Sequence, residues 1–126
     1  MASQVFSGTF KDSNGNEFDL TVWDEGDQKN PKKRELVIVK KLKGKPPEVV
    51  LIYFNPATIK EPEKKEKDKP FNISCMGSGA QGDCGFTVTK PAVKGKVKVE
   101  LKISNVPFTG EMDEAEADRL LKAFPK

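Results

Sequence analysis

The chain has 126 residues and a net charge of +3, with 36% apolar and 33% charged residues. This length is typical of one domain, so we expect residues 1–126 to form a single domain. The chain has no histidine, which excludes Ser-His-Asp and Cys-His catalytic sites and histidine-ligated metal sites. No apolar run approaches the roughly 20 residues of a membrane-spanning helix. The composition therefore favours a non-enzymatic protein without a metal or cofactor.

Two alternating segments open the chain and flank an Asn-Gly pair. Residues 4–11 and 17–23 alternate apolar with polar side chains, and Asn14-Gly15 lies between them. Both turn residues tolerate positive φ, as a tight hairpin turn requires, so a first β-hairpin is predicted here. The turn does not match a calcium-binding loop, because its glycine is fourth and Trp23 stands at the twelfth position.

Two segments after the first hairpin are apolar at successive positions rather than at alternate ones. Residues 36–39 and 49–54 are rich in β-branched side chains and are separated by Gly44 and two prolines. Continuous apolar runs of this length are typical of strands that are covered on both faces. We therefore expect two central strands here.

A basic stretch surrounds the first of these runs. Residues 29–45 contain eight basic residues against Glu35 alone, which gives a local net charge of +7. Such a stretch is typical of a phosphate-binding face, although it lacks interleaved aromatic residues to stack on bases. The alternative function is therefore a nucleic-acid-binding β-barrel, with these residues on its binding face: Lys32, Lys33, Arg34, Lys40, Lys41 and Lys43.

A long charged segment follows the second run. Residues 60–69 hold five lysines and four acidic residues, with Pro62 between them. Such a segment buries almost no apolar surface, so residues 55–70 are expected to form a flexible, solvated insertion.

The second predicted hairpin contains both cysteines. Cys75 and Cys84 flank a stretch with three glycines, which favours a loop that doubles back and a disulfide at its base. A bridged loop would be pre-organised for a partner's cleft. Its predicted contact residues are Gly77, Ser78, Gly79, Gln81 and Asp83. The disulfide would place the protein in the periplasm or outside the cell after removal of a signal, and reduced thiols would favour the cytoplasm.

The end of the chain changes from a strand period to a helix period. Residues 96–104 alternate strictly, which is typical of a half-buried antiparallel strand. Asp113 and Glu116 resemble a capping box at the start of a helix predicted over residues 113–124. One apolar stripe follows the helical period, and it consists of Ala117, Leu120, Leu121 and Phe124.

Together these patterns predict a mainly β fold, an antiparallel sandwich or open barrel of six to seven strands with one short C-terminal helix. A small β domain with a cysteine pair and glycine loops is similar in general architecture to small bacterial enzyme inhibitors and immunity proteins. We therefore predict a protein-binding domain that blocks a partner's active site with the glycine-rich loop. The nucleic-acid-binding barrel remains the alternative.

Overall fold

A computed structural model describes residues 2–54, 58–79, 82–91, 95–103 and 106–124. These residues form a mainly β fold with one C-terminal helix, α1, at Glu114–Lys122. The strands in chain order are β1 Ser3–Lys11, β2 Glu17–Asp24, β3 Arg34–Lys41, β4 Glu48–Phe54, β5 Thr58–Lys60, β6 Phe71–Gly79, β7 Gly82–Lys90, β8 Lys96–Ile103 and β9 Val106–Asp113.

All nine strands of the described residues belong to one antiparallel sheet, in the order β4-β3-β2-β1-β9-β8-β7-β6-β5. The mainly β class and the C-terminal helix are confirmed, whereas the predicted strand count of six to seven is not. The described strands form a single open sheet that does not close into a barrel, so the predicted sandwich of two sheets is not confirmed. The additional strands are β5, which lies inside the predicted insertion, and β9, which lies between the predicted strand over residues 96–104 and the helix.

The first hairpin is confirmed at β1 and β2. Gly15 takes a φ of 88°, the left-handed conformation that favours glycine. The Asp12 carboxylate accepts hydrogen bonds from the backbone N–H groups of Asn14 and Asn16, both at 2.9 Å. A further hydrogen bond from the Asn16 side chain is the main cause of the lowered pKa of Asp12. The turn therefore accounts for these polar residues.

One hydrophobic core joins the two halves of the sheet and the helix. The predicted stripe on α1 is buried, and the Phe124 ring packs 5.0 Å from the ring of Phe86 on β7. At the other end of the sheet order, β4 lies beside β6 although the two strands are not hydrogen-bonded neighbours. The sheet therefore curves around its own inner face, and the helix packs against β1, β8 and β9.

The predicted capping box of the helix does not form. Asp113 is the N-cap residue but makes no side-chain cap, and its carboxylate lies 2.6 Å from the Lys96 ammonium. Glu116 instead accepts a hydrogen bond from the backbone N–H of Thr9 at 3.1 Å. The helix is shorter at both ends than the predicted 113–124. Both acidic residues thus tie the start of the helix to strands rather than to its own backbone.

Candidate functional site

The predicted glycine loop is mostly β-strand. Gly77 pairs with Cys84, Ser78 with Asp83, and Gly79 with Gly82. Gln81, one of the five predicted contact residues, lies outside the described residues. The hairpin end is therefore narrow, because strand pairing continues to Gly79 and Gly82.

The predicted disulfide between Cys75 and Cys84 is absent, and both cysteines are buried thiols. The ladder places Cys75 opposite Phe86 and Cys84 opposite Gly77, so neither cysteine faces the other directly across the hairpin. Both side chains belong to the hydrophobic core, where a thiol acts as a small apolar group. Burial raises the pKa of Cys75 to about 12. The structure therefore removes the bridge on which the pre-organised loop depended.

The predicted basic face is divided along β3. Lys32 and Lys33 precede the strand, and Lys43 follows it. Within β3, Arg34 and Lys40 share the side of the buried residues, whereas Lys41 lies on the other side. Arg34 and Lys40 are six positions apart, which is roughly 20 Å along an antiparallel strand. The structure does not bring the six basic residues onto one face.

Arg34 is held by the fold. Its side chain is only 13% exposed and forms an ion pair with Asp24, with 3.0 Å between Nη1 and Oδ1. Its Nε donates to the carbonyl of Ala123 at 2.8 Å, at the C-terminal end of α1. A carbonyl at a helix end has no partner within the helix, so Arg34 stabilises this end. Sequence reasoning assigned Arg34 to a binding face and missed its structural role.

Lys40 and Lys41 also have partners within the fold. The Lys40 ammonium lies 3.5 Å from the Glu48 carboxylate and 4.9 Å from the centre of the Phe108 ring. Lys41 lies 2.8 Å from Asp19. Its hydrogen bond is the main cause of the lowered pKa of Asp19, and a hydrogen bond from Thr9 contributes as well. These contacts reduce the positive charge that either lysine presents.

An exposed apolar surface lies on the side of β3 and β4 that faces away from the core. Val37 is paired with Leu51 and Val39 with Val49, so the four side chains form a compact block. Val49 is 61% exposed and Leu51 is 45% exposed, while the two residues on β3 are half-buried. The prediction that both strands are covered on both faces is therefore wrong for this side. We call these four residues the outer apolar surface.

The second hairpin borders the outer apolar surface. Met76 on β6 is 55% exposed and alternates with the buried Cys75, so it faces away from the core. Its strand, β6, lies beside β4, which carries two residues of the outer apolar surface. The hairpin that contains the predicted site thus has one strand beside a strand of the outer apolar surface.

Comparisons of the chain with known proteins found no relative. The chain matches no family model, no curated protein and no solved structure. Among the described residues, no group of three or more Cys, Asp or Glu side chains could hold a metal ion. No helix in that part of the chain has the length and apolar character to cross a membrane.

Proposed function

We propose that the chain is a non-enzymatic protein-binding domain that docks an extended segment of a partner protein on the outer apolar surface. The observation that carries this proposal is the exposure of Val49 and Leu51 beside Val37 and Val39. Contiguous exposed aliphatic side chains on one sheet face are typical of interaction sites. Fully burying an aliphatic side chain contributes about 1.5–3 kcal/mol, so covering the exposed parts of these two contributes about 1 kcal/mol each.

The charges near the outer apolar surface favour an acidic partner segment. Lys41 ends β3 on the same side as Val37 and Val39, and Lys43 and Lys45 follow in the exposed turn toward β4. Asp19 pairs with Lys41 and Glu48 pairs with Lys40, so Lys43 and Lys45 carry the remaining positive charge. A partner segment with alternating aliphatic residues and acidic residues at one end complements this arrangement.

The hairpin end borders the partner in this proposal. Asp83 and Met76 are both exposed, and Met76 lies on β6, the strand beside β4. The predicted contacts at Gly77, Ser78, Gly79, Gln81 and Asp83 remain a proposal, without a bridging disulfide. The division of the basic residues along β3 gives the nucleic-acid alternative no specific support.

Several features of the described residues support a non-enzymatic role. No polar or charged side chain among them is buried. The carboxylates with lowered pKa values are those of Asp12, Asp19, Asp27 and Asp113, and each lies in a turn or an ion pair. A catalytic acid or base is typically tuned by burial or by a neighbouring like charge, whereas hydrogen bonds are the main cause of the lowered pKa of each of these four carboxylates.

Selection from a display library of random short peptides tests the proposal. The intact chain should enrich peptides with alternating aliphatic residues next to an acidic residue. Leu51→Lys and Val49→Lys should each weaken binding of a selected peptide by about five-fold, because a lysine removes an aliphatic contact that contributes about 1 kcal/mol. The matched control is Val106→Lys, since Val106 is an exposed valine on β9, away from this surface.

Two outcomes would contradict the proposal. Either no peptide is enriched, or the selected peptides bind the Leu51→Lys and Val106→Lys variants equally well. Sedimentation equilibrium tests whether a second copy of the chain, rather than a partner segment, occupies the outer apolar surface. A concentration-dependent dimer that Leu51→Lys abolishes would replace the partner segment with self-association.

A further inference from the structure

A second surface feature lies at the opposite end of the helix from the Glu116 contact. A cavity of about 390 Å³ opens between β5, β6 and the last turn of α1. Its apolar lining comes from Ile59, Phe71, Ile73, Leu121 and Phe124. Ile73, Leu121 and Phe124 are buried core residues, so the floor of the cavity is continuous with the hydrophobic core.

Charged side chains form the rim of this cavity. Lys65 lies 3.4 Å from Glu61, and its ammonium is 5.3 Å from the centre of the Phe71 ring. Lys90 forms an ion pair with Asp118, and Lys122 completes the rim. The rim thus carries three ammonium groups and two carboxylates, and one positive charge remains.

We propose that this cavity binds a small apolar molecule that carries one carboxylate group. Its volume is near the lower end of the roughly 300–1,000 Å³ typical of small-molecule sites, and an apolar floor with a few polar groups is their usual lining. One carboxylate neutralises the surplus positive charge of the rim. The ion pair of Lys65 with Glu61 is half-exposed and therefore weak, so a ligand carboxylate can replace Glu61 at low cost.

This proposal is independent of the outer apolar surface. The cavity involves β5, β6 and α1, whereas the outer apolar surface is formed by β3 and β4. Its lining includes no member of that surface. A variant of the cavity therefore leaves the proposed partner-binding residues intact.

Titration with sodium decanoate below its micelle-forming concentration tests the site, with calorimetry and NMR shifts as readouts. Decanoate should bind, and Ile59→Trp should weaken binding by about ten-fold or more, because the larger side chain fills the half-buried edge of the cavity. Val5→Trp is the matched control, since Val5 is an exposed valine on β1 that does not line the cavity. Circular dichroism checks folding, and Ile59→Phe serves if the tryptophan variant does not fold.

The neutral analogue decan-1-ol tests the role of charge. The variant Lys65→Gln/Lys122→Gln should weaken decanoate binding about five-fold or more and leave decanol binding unchanged. The proposal is overturned if decanoate does not bind, or if the Ile59 variants bind it as well as the Val5 variant does. An equal effect of the lysine substitutions on both ligands would overturn the assignment of a carboxylate.

Discussion

Gly8 on β1 should not tolerate alanine, because a Cβ atom there would meet the helix. The added atom would lie 2.2 Å from Oε1 of Glu116 and 2.6 Å from Cζ of Phe6. Glu116 can move only by giving up its hydrogen bond from the Thr9 N–H. Leaving a backbone N–H unpaired costs about 1–3 kcal/mol, and displacing the buried Phe6 ring adds about 1 kcal/mol. Alanine loses less backbone entropy on folding than glycine does, which offsets roughly 0.5–1 kcal/mol of these costs. Gly8→Ala should therefore destabilise the fold by about 2 kcal/mol.

A double-mutant cycle with Glu116→Ala tests this reasoning. Glu116→Ala alone should cost about 1–2 kcal/mol, since it removes the acceptor for Thr9. Because both substitutions disrupt the same hydrogen bond, the double variant should cost about 1 kcal/mol less than the sum of the single variants. Urea unfolding followed by fluorescence of the single tryptophan, Trp23, measures each free energy of unfolding. Additivity within about 0.3–0.5 kcal/mol would refute the contact between Gly8 and Glu116.

Four further predictions concern the reactivity of the thiols, the stability at alkaline pH, the stability at acidic pH and the helix end. Cys75 and Cys84 should both resist a thiol reagent in the native protein, and both should react with it in denaturant. Fewer than two reactive thiols in denaturant would instead support a disulfide. Because the folded-state pKa of Cys75 is raised to about 12, the free energy of unfolding should fall as pH rises above about 9, and less so in Cys75→Ala. The pKa of Asp19 is lowered in the folded state, so ionised Asp19 should stabilise the fold above its ordinary pKa of about 3.9. This stabilisation should be lost as pH falls through the folded-state pKa. In urea unfolding at several pH values, Asp19→Asn should reduce the loss of stability at acidic pH. Arg34→Gln should lower the free energy of unfolding in urea by about 2–3 kcal/mol, whereas the exposed control Lys43→Gln should change this free energy by less than about 0.5 kcal/mol.

Local periodicity predicted much of the fold from the sequence. The first hairpin follows from alternation around Asn14-Gly15, and the strand β8 follows from its strict alternation. The helix stripe was also correct, because a buried helix face shows its period within a few turns. By contrast, β5 has only three residues and depends on pairing with β6, so no local period marks it. Strand pairing with a distant segment is the information that a local pattern lacks.

The candidate site was harder to predict for the same reason. Sequence reasoning recognised that residues 49–54 are apolar on both faces, but it assigned both faces to the core. Whether the second face is covered depends on what packs there, and the described residues leave Val49 and Leu51 exposed. The cysteines failed in a related way, since the register that separates Cys75 from Cys84 is fixed by the whole hairpin ladder.

Methyl NMR of the intact chain with a selected peptide tests the central claim most directly. The outer apolar surface consists only of valine and leucine, so its own methyl groups report contact. On addition of peptide, the largest shifts are expected at Val37, Val39, Val49 and Leu51, with the methyl groups of Val106 unchanged. Shifts centred on another part of the molecule, with those four residues unaffected, would contradict the proposed docking surface.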